Sequence, residues 1–185
     1  MSRELLVRFS FTLFSALLIS LSLFSTSSMA QEPKRIVVLG DSLVAGYGLN
    51  PGEAFPEKLQ KALEIDKQTF VIENAGVSGD TSSGGLSRLD WSVPDGTHGV
   101  ILELGANDAL RGISTDLTNA NLNSIVSRLK ERKIQVLLVG MMAPPNMGAD
   151  YGKQFNAIYH TLAKQEDLVF YPFFLEGVAG QPQLN

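Results

Sequence analysis

The chain has 185 residues, a size that suits one domain, and neither repeats nor low-complexity tracts mark a place to divide it. Its 15 basic and 19 acidic residues give a formal net charge of −4, and no basic stripe offers the phosphate neutralisation that nucleic acid binding needs. The absence of cysteine excludes disulfides, thiolate zinc sites and thiol catalysis together.

In chain order, Arg3 and Arg8 precede an apolar run from Phe9 to Phe24, and Ser28-Met29-Ala30 puts small residues three and one positions before a cut. This is the pattern of a secretory signal peptide over residues 1–30. An N-terminal anchor fits less well, because serines interrupt a run shorter than the about 20 residues a membrane span needs. The expected mature domain, residues 31–185, starts near Gln31, keeps no stable membrane span and resides in the periplasm or the medium. Removing two of the 15 basic and one of the 19 acidic residues leaves 13 against 18, or −5. A secreted chain without disulfides needs a real apolar core, and the remaining length is enough to build one.

Four apolar, β-branched runs follow, Ile36 to Leu39, Phe70 to Ile72, Val100 to Leu104 and Ile134 to Val139, with a weaker fifth from Leu168 to Phe174. Short, nearly continuous runs predict strands buried on both faces. Between them, Phe55, Leu59, Ala62 and Leu63 fall on one face of a helix that the Pro51-Gly52 turn could start. Leu117, Asn121, Leu122, Ile125 and Leu129 mark a second helix, and Phe155, Ile158, Tyr159 and Leu162 a third. Strands alternating with helices predict an α/β fold, a three-layer α/β/α sandwich on a doubly wound, five-stranded parallel sheet. Ligands bind such sheets outside the carboxyl ends of the strands, so chemistry is expected in the turns that follow them.

The first of those turns is Gly40-Asp41-Ser42. It matches neither the G-x-S-x-G elbow nor a dinucleotide or P-loop fingerprint. A serine there can be a helix cap, or a nucleophile placed near the N–H groups and positive end of the next helix. The second turn runs from Asn74 to Gly85, and its glycines let the backbone pass close to a ligand, so the Gly79 N–H could point at a substrate oxygen. Taken alone, it reads equally as a plain glycine-rich connection. The third, Glu103-Leu104-Gly105-Ala106-Asn107-Asp108, carries an asparagine carboxamide, which donates hydrogen bonds without a charge as an oxyanion hole requires.

Taken together, these motifs are more specific than any one of them. The runs GDSLVAGYGL, SGDTSSGGLSRL and LELGANDALRG resemble the thioesterase I/arylesterase branch of the SGNH (GDSL-type) hydrolases, a likeness that continues through YGKQFNAIYHTLAK and FYPFFLEGV. The resemblance implies a flavodoxin-like sheet and hydrolysis of acyl or aryl esters or thioesters, lysophospholipids included, by a monomer without metal or cofactor. It makes Ser42 the nucleophile and a source of one oxyanion N–H, Gly79 a second N–H donor and Asn107 a side-chain donor. Asp41 and Asp108 become turn-supporting acceptors. Met142, Ala143, Pro144 and Pro145, after the fourth strand, would line the acyl pocket, while Met141 and Met142 read equally well as core. A carbohydrate acetylesterase shares the same motifs and is the alternative activity.

A serine hydroxyl needs a base, which this family carries in an Asp-x-x-His block after the fifth strand. Within residues 1–185 no such block follows the fifth strand. Of the two histidines, His98 is expected at the amino end of the sheet, facing away from Ser42, and His160 on the surface of the helix entering the fifth strand. The expectation is therefore an incomplete copy of a longer enzyme, with base and closing C-terminal helix absent, or else a truncated, non-catalytic ligand-binding protein. As it stands the chain is expected to be marginally stable and nearly inactive.

Overall fold

A computed structural model describes residues 32–181 and 183, and the expected leader lies outside them. Strand β1 (Lys34–Gly40) leads into a single helical turn, α1 (Ser42–Ala45), and then helix α2 (Phe55–Ile65). Strand β2 (Phe70–Gly76) is followed by two short helices, α3 (Ser82–Ser87) and α4 (Leu89–Ser92). Strand β3 (Thr97–Glu103) precedes α5 (Ala106–Leu110) and α6 (Thr115–Glu131). Strand β4 (Gln135–Val139), a 3₁₀ turn at Pro145–Met147, α7 (Ala149–Glu166) and β5 (Val169–Tyr171) complete the order. All pairings are parallel, in the order β2-β1-β3-β4-β5, so the expected fold is the observed one.

Period-2 alternation divides the sheet into two faces. Val37, Leu39, Val100, Leu102, Val136 and Leu138 point to one side, where α3 to α7 bury them beneath Leu122, Ile125, Leu129, Phe155, Tyr159 and Leu162. Val38, Ile101 and Val139 point to the other, joined by Val44 of α1 and by half-buried Ile36, Phe55, Leu59, Ile72 and Phe174. The second face is thinly covered. Among the described residues only α1, α2 and the Phe174 segment pack there, leaving an apolar groove of about 560 Å3 lined by Ile36, Leu59, Leu63, Ile72, Ile101 and Leu137. The closing helix implied by the resemblance has no counterpart over that groove among the described residues.

Three expectations need correction. Strand β2 runs four residues past Ile72, because an edge strand buries little and so tolerates Glu73 and Asn74 in the ladder. Leu117 is half exposed, and the inward position one residue on is taken by Thr118, fully buried. Ala62 of α2 is exposed, since the helix lies along the rim of the open face. The third helix agrees with its pattern, with Phe155, Ile158, Tyr159 and Leu162 all buried.

Candidate active site

The order β2-β1-β3 makes the three glycine-containing turns neighbours at the carboxyl edge, on either side of the β1/β3 switch point. At the end of β1 the chain turns sharply. Gly40 is required there, since a Cβ would lie 2.3 Å from Val44 Cγ2 and 2.7 Å from Glu103 Oε2. Asp41 then caps α1, its Oδ1 accepting the Leu43 N–H at 3.0 Å. Ser42 is the first residue of that turn, half-buried, and neither its hydroxyl nor its N–H bonds to another described residue. A four-residue helix has almost no macrodipole, so the helix-end field expected behind Ser42 is replaced by one free N–H.

Asp41 also reaches across to the turn after β3. Its Oδ2 accepts from Asn107 Nδ2 at 3.1 Å, which fixes the carboxamide beside the serine turn and leaves the second Nδ2 hydrogen unused. Asp41 is therefore more than a turn acceptor, because it joins the two motifs. Burial pushes its carboxyl above the usual carboxylate range, opposed by the bonds from Leu43 and Asn107. Gly79 adopts φ +83°, and its carbonyl accepts from Arg111 Nη2 at 2.6 Å. Its N–H makes no bond to another described residue.

Two parts of this scaffold were missed in the sequence. Arg88 is the sole Lys or Arg between Lys67 and Arg111, and that isolation was the available signal. Its guanidinium donates to Gly40 O at 3.0 Å, Ala75 O at 2.9 Å and Ser92 Oγ at 2.8 Å, and pairs with Asp80 at 2.7 Å. It thus ties the ends of β1 and β2 to the Gly79 loop. The second is a buried polar cluster around Asp108, which accepts from Ser82 N at 2.7 Å, Ser82 Oγ at 2.5 Å and Thr118 Oγ1 at 3.1 Å. Asn121 Nδ2 completes it with a 3.0 Å bond to Ser82 Oγ. Asp108 thereby fastens α3 and α6 to the Asn107 turn, a wider role than supporting its own turn.

Of the segment after β4, Met141 is core and Met142 exposed, with Ala143 and Pro144 half-buried and Pro145 exposed. None of these, nor Ser42, Gly79 or Asn107, lines the 560 Å3 groove, which belongs to the open sheet face. The histidines lie away from the edge. His98 is the second residue of β3 rather than before it, and its Nδ1 accepts from Arg35 N at 3.2 Å at the amino end. His160 is exposed on α7, edge-on to Phe170 at 4.9 Å.

Known proteins resemble this chain in sequence and fold. The chain is 38% identical over 168 residues to the arylesterase of Vibrio mimicus, covering 90% of this chain and 84% of that one. It is 39% identical over 149 residues to thioesterase 1/protease 1/lysophospholipase L1 of Escherichia coli (strain K12), covering 80% and 70%. The crystal structure of AlinE4, an SGNH-hydrolase family esterase, superposes with a TM-score of 0.80 at 48% identity over 83% of each chain. The GDSL-like Lipase/Acylhydrolase family profile matches residues 38–185, and the chain belongs to that family.

Proposed function

We propose that this protein is an exported, monomeric serine hydrolase that cleaves acyl or aryl esters or thioesters through an acyl-enzyme on Ser42. The observation that carries the proposal is the Asp41–Asn107 hydrogen bond, which couples the serine turn to a side-chain donor while the Ser42 hydroxyl stays unengaged. Ser42 Oγ attacks the substrate carbonyl and its proton passes to a base. The Ser42 N–H, the Gly79 N–H and the free Asn107 Nδ2 hydrogen receive the oxyanion. The tetrahedral centre collapses, the C–O or C–S bond breaks, and the leaving group takes the proton. Water, giving its proton to the base, then attacks the acyl carbonyl; the bond to Ser42 Oγ breaks, Oγ recovers the proton and the acid is released.

Neither His98 nor His160 is placed to serve as that base: the Asp-x-x-His that ends at His98 starts at Asp95 and lies at the amino end of β3, so the reaction relies on the family's block after the fifth strand, which is not found within residues 1–185. Ester substrates are favoured by the likeness to an arylesterase and an SGNH esterase, and thioesters by the likeness to thioesterase 1. Among the described residues no helix is long and apolar enough to cross a membrane.

The protein read from its gene to the natural stop codon is assayed on p-nitrophenyl acetate, butyrate and octanoate, on a medium-chain acyl thioester and on an acetylated sugar. The expected result is turnover of medium-chain substrates that falls at least about 10³-fold in Ser42→Ala, while the 185-residue chain retains only residual rates. Equal turnover by Ser42→Ala, or preference for an acetylated sugar, overturns the proposal.

A further inference from the structure

One acid at this edge has no part in the mechanism above. Glu103, the last residue of β3, is 1% exposed, and its side chain lies under the serine turn on the α1 side of the sheet. Its Oε2 accepts the Asp41 N–H at 3.3 Å, and its carboxyl neighbours the Asp41 carboxyl. Its Oε1 is buried without a partner among the described residues. A charged carboxylate with one oxygen buried and unsolvated is costly, whereas a neutral acid loses far less. Two buried carboxyls in contact also cannot both ionise at neutral pH. Asp41, holding two N–H donors, is the better anion of the two.

Resting on the ester reading above, we propose that Glu103 is a positioning residue. As a carboxylic acid it donates a hydrogen bond to Asp41, and through Asp41 it fixes the Asn107 carboxamide for the oxyanion. The other groups around the pair sharpen this division. Asp80 and Asp108 both oppose charge on Asp41, and the Tyr159 hydroxyl is committed to Leu104 O at 2.8 Å. The Arg88 charge is paired with Asp80. A second negative charge at Glu103 would break the hydrogen bond to Asp41 and turn attraction into repulsion. Burial, then the Asp41 charge, push the Glu103 carboxyl up to about 8, so this happens only in alkaline solution.

The test has two arms. In the natural-length protein, Glu103→Gln keeps an acceptor for Asp41 N and a donor for its carboxylate, while Glu103→Leu keeps neither. Glu103→Gln is expected to retain kcat within about threefold, and Glu103→Leu to lose about 10- to 100-fold in kcat with KM nearly unchanged. The second arm needs no turnover and no folded Leu variant. The Asn107 side-chain ¹H–¹⁵N resonances of the wild-type protein are expected to step as pH rises through about 8 and to stay flat in Glu103→Gln. Wild-type kcat in a folded Glu103→Leu protein, or Asn107 resonances with no step or with a step that persists in Glu103→Gln, overturns the proposal. Ester turnover indifferent to Ser42→Ala would overturn the functional reading instead, a failure the resonance titration detects separately.

Discussion

Replacing Asp108 by alanine removes the acceptor around which α3, α5 and α6 are fastened. Asp108 and Ser82 are both fully buried, so water does not replace the lost bonds. Thr118 Oγ1 keeps a second acceptor, Ser114 O at 3.3 Å, so two donors are stranded, the Ser82 N–H and O–H. A buried donor left unsatisfied costs about 1–3 kcal/mol, which puts Asp108→Ala at about 4 kcal/mol. That is a large share of the roughly 5–15 kcal/mol that stabilises a domain. Urea unfolding followed by circular dichroism measures it, with exposed Asp116→Ala as a control expected to shift by less than about 1 kcal/mol. In Asp108→Ala/Ser82→Ala one stranded donor is gone, so the double variant should be less destabilised than the sum of the singles, by about 1 kcal/mol or more. A loss below about 1 kcal/mol for Asp108→Ala, or strict additivity in the double variant, would refute the reasoning.

Glu103 makes stability pH-dependent. Its folded pKa of about 8 stands above its ordinary 4.5, so between those values the folded state holds a proton that the unfolded state has released, and stability falls as pH rises. At 1.36 kcal/mol per unit the decline reaches about 3 kcal/mol by pH 7, and thermal melts of Glu103→Gln should lack it; parallel curves for the two proteins would contradict this. Gly40→Ala forces a Cβ against Val44 and Glu103, and its melting temperature should drop by the equivalent of about 3 kcal/mol. Arg88→Ala leaves Asp80 unpaired and removes the Arg88 donor from Ala75 O and Gly40 O, the latter keeping the Val77 N–H, for a loss of about 3 kcal/mol in chemical denaturation. Arg88→Lys should recover less than half of it, because an ammonium cannot reproduce the forked geometry.

The sheet was legible because β1, β3 and β4 are buried on both faces and so read as unbroken apolar runs. Where burial fails, so does the signal. Edge strand β2 continues through Glu73-Asn74, and the paired part of β5 is only Val169–Tyr171 of a longer apolar run. Helices α6 and α7 showed their 3.6-residue period, but Thr118 was hidden because a buried threonine bonded to an acid looks polar in sequence. The short helix α3 lies in a Gly- and Ser-rich stretch, and α4 and α5 have too few turns to repeat any pattern. That Ser42, Gly79 and Asn107 share one sheet edge could be read because each follows a recognisable strand. Their supports could not, since nothing in the sequence says that Glu103 and Asp108 are acids sealed from water, or that Arg88 binds two strand ends.

The central claim is that Ser42 forms the acyl-enzyme. Treating the natural-length protein with a p-nitrophenyl alkylphosphonate and mapping the adduct by peptide mass spectrometry tests it most directly. The predicted result is one stable phosphonate on the Ser42 peptide, formed as esterase activity disappears and absent from Ser42→Ala. Labelling of Ser78 or Ser82 instead, or loss of activity with Ser42 unmodified, would contradict it.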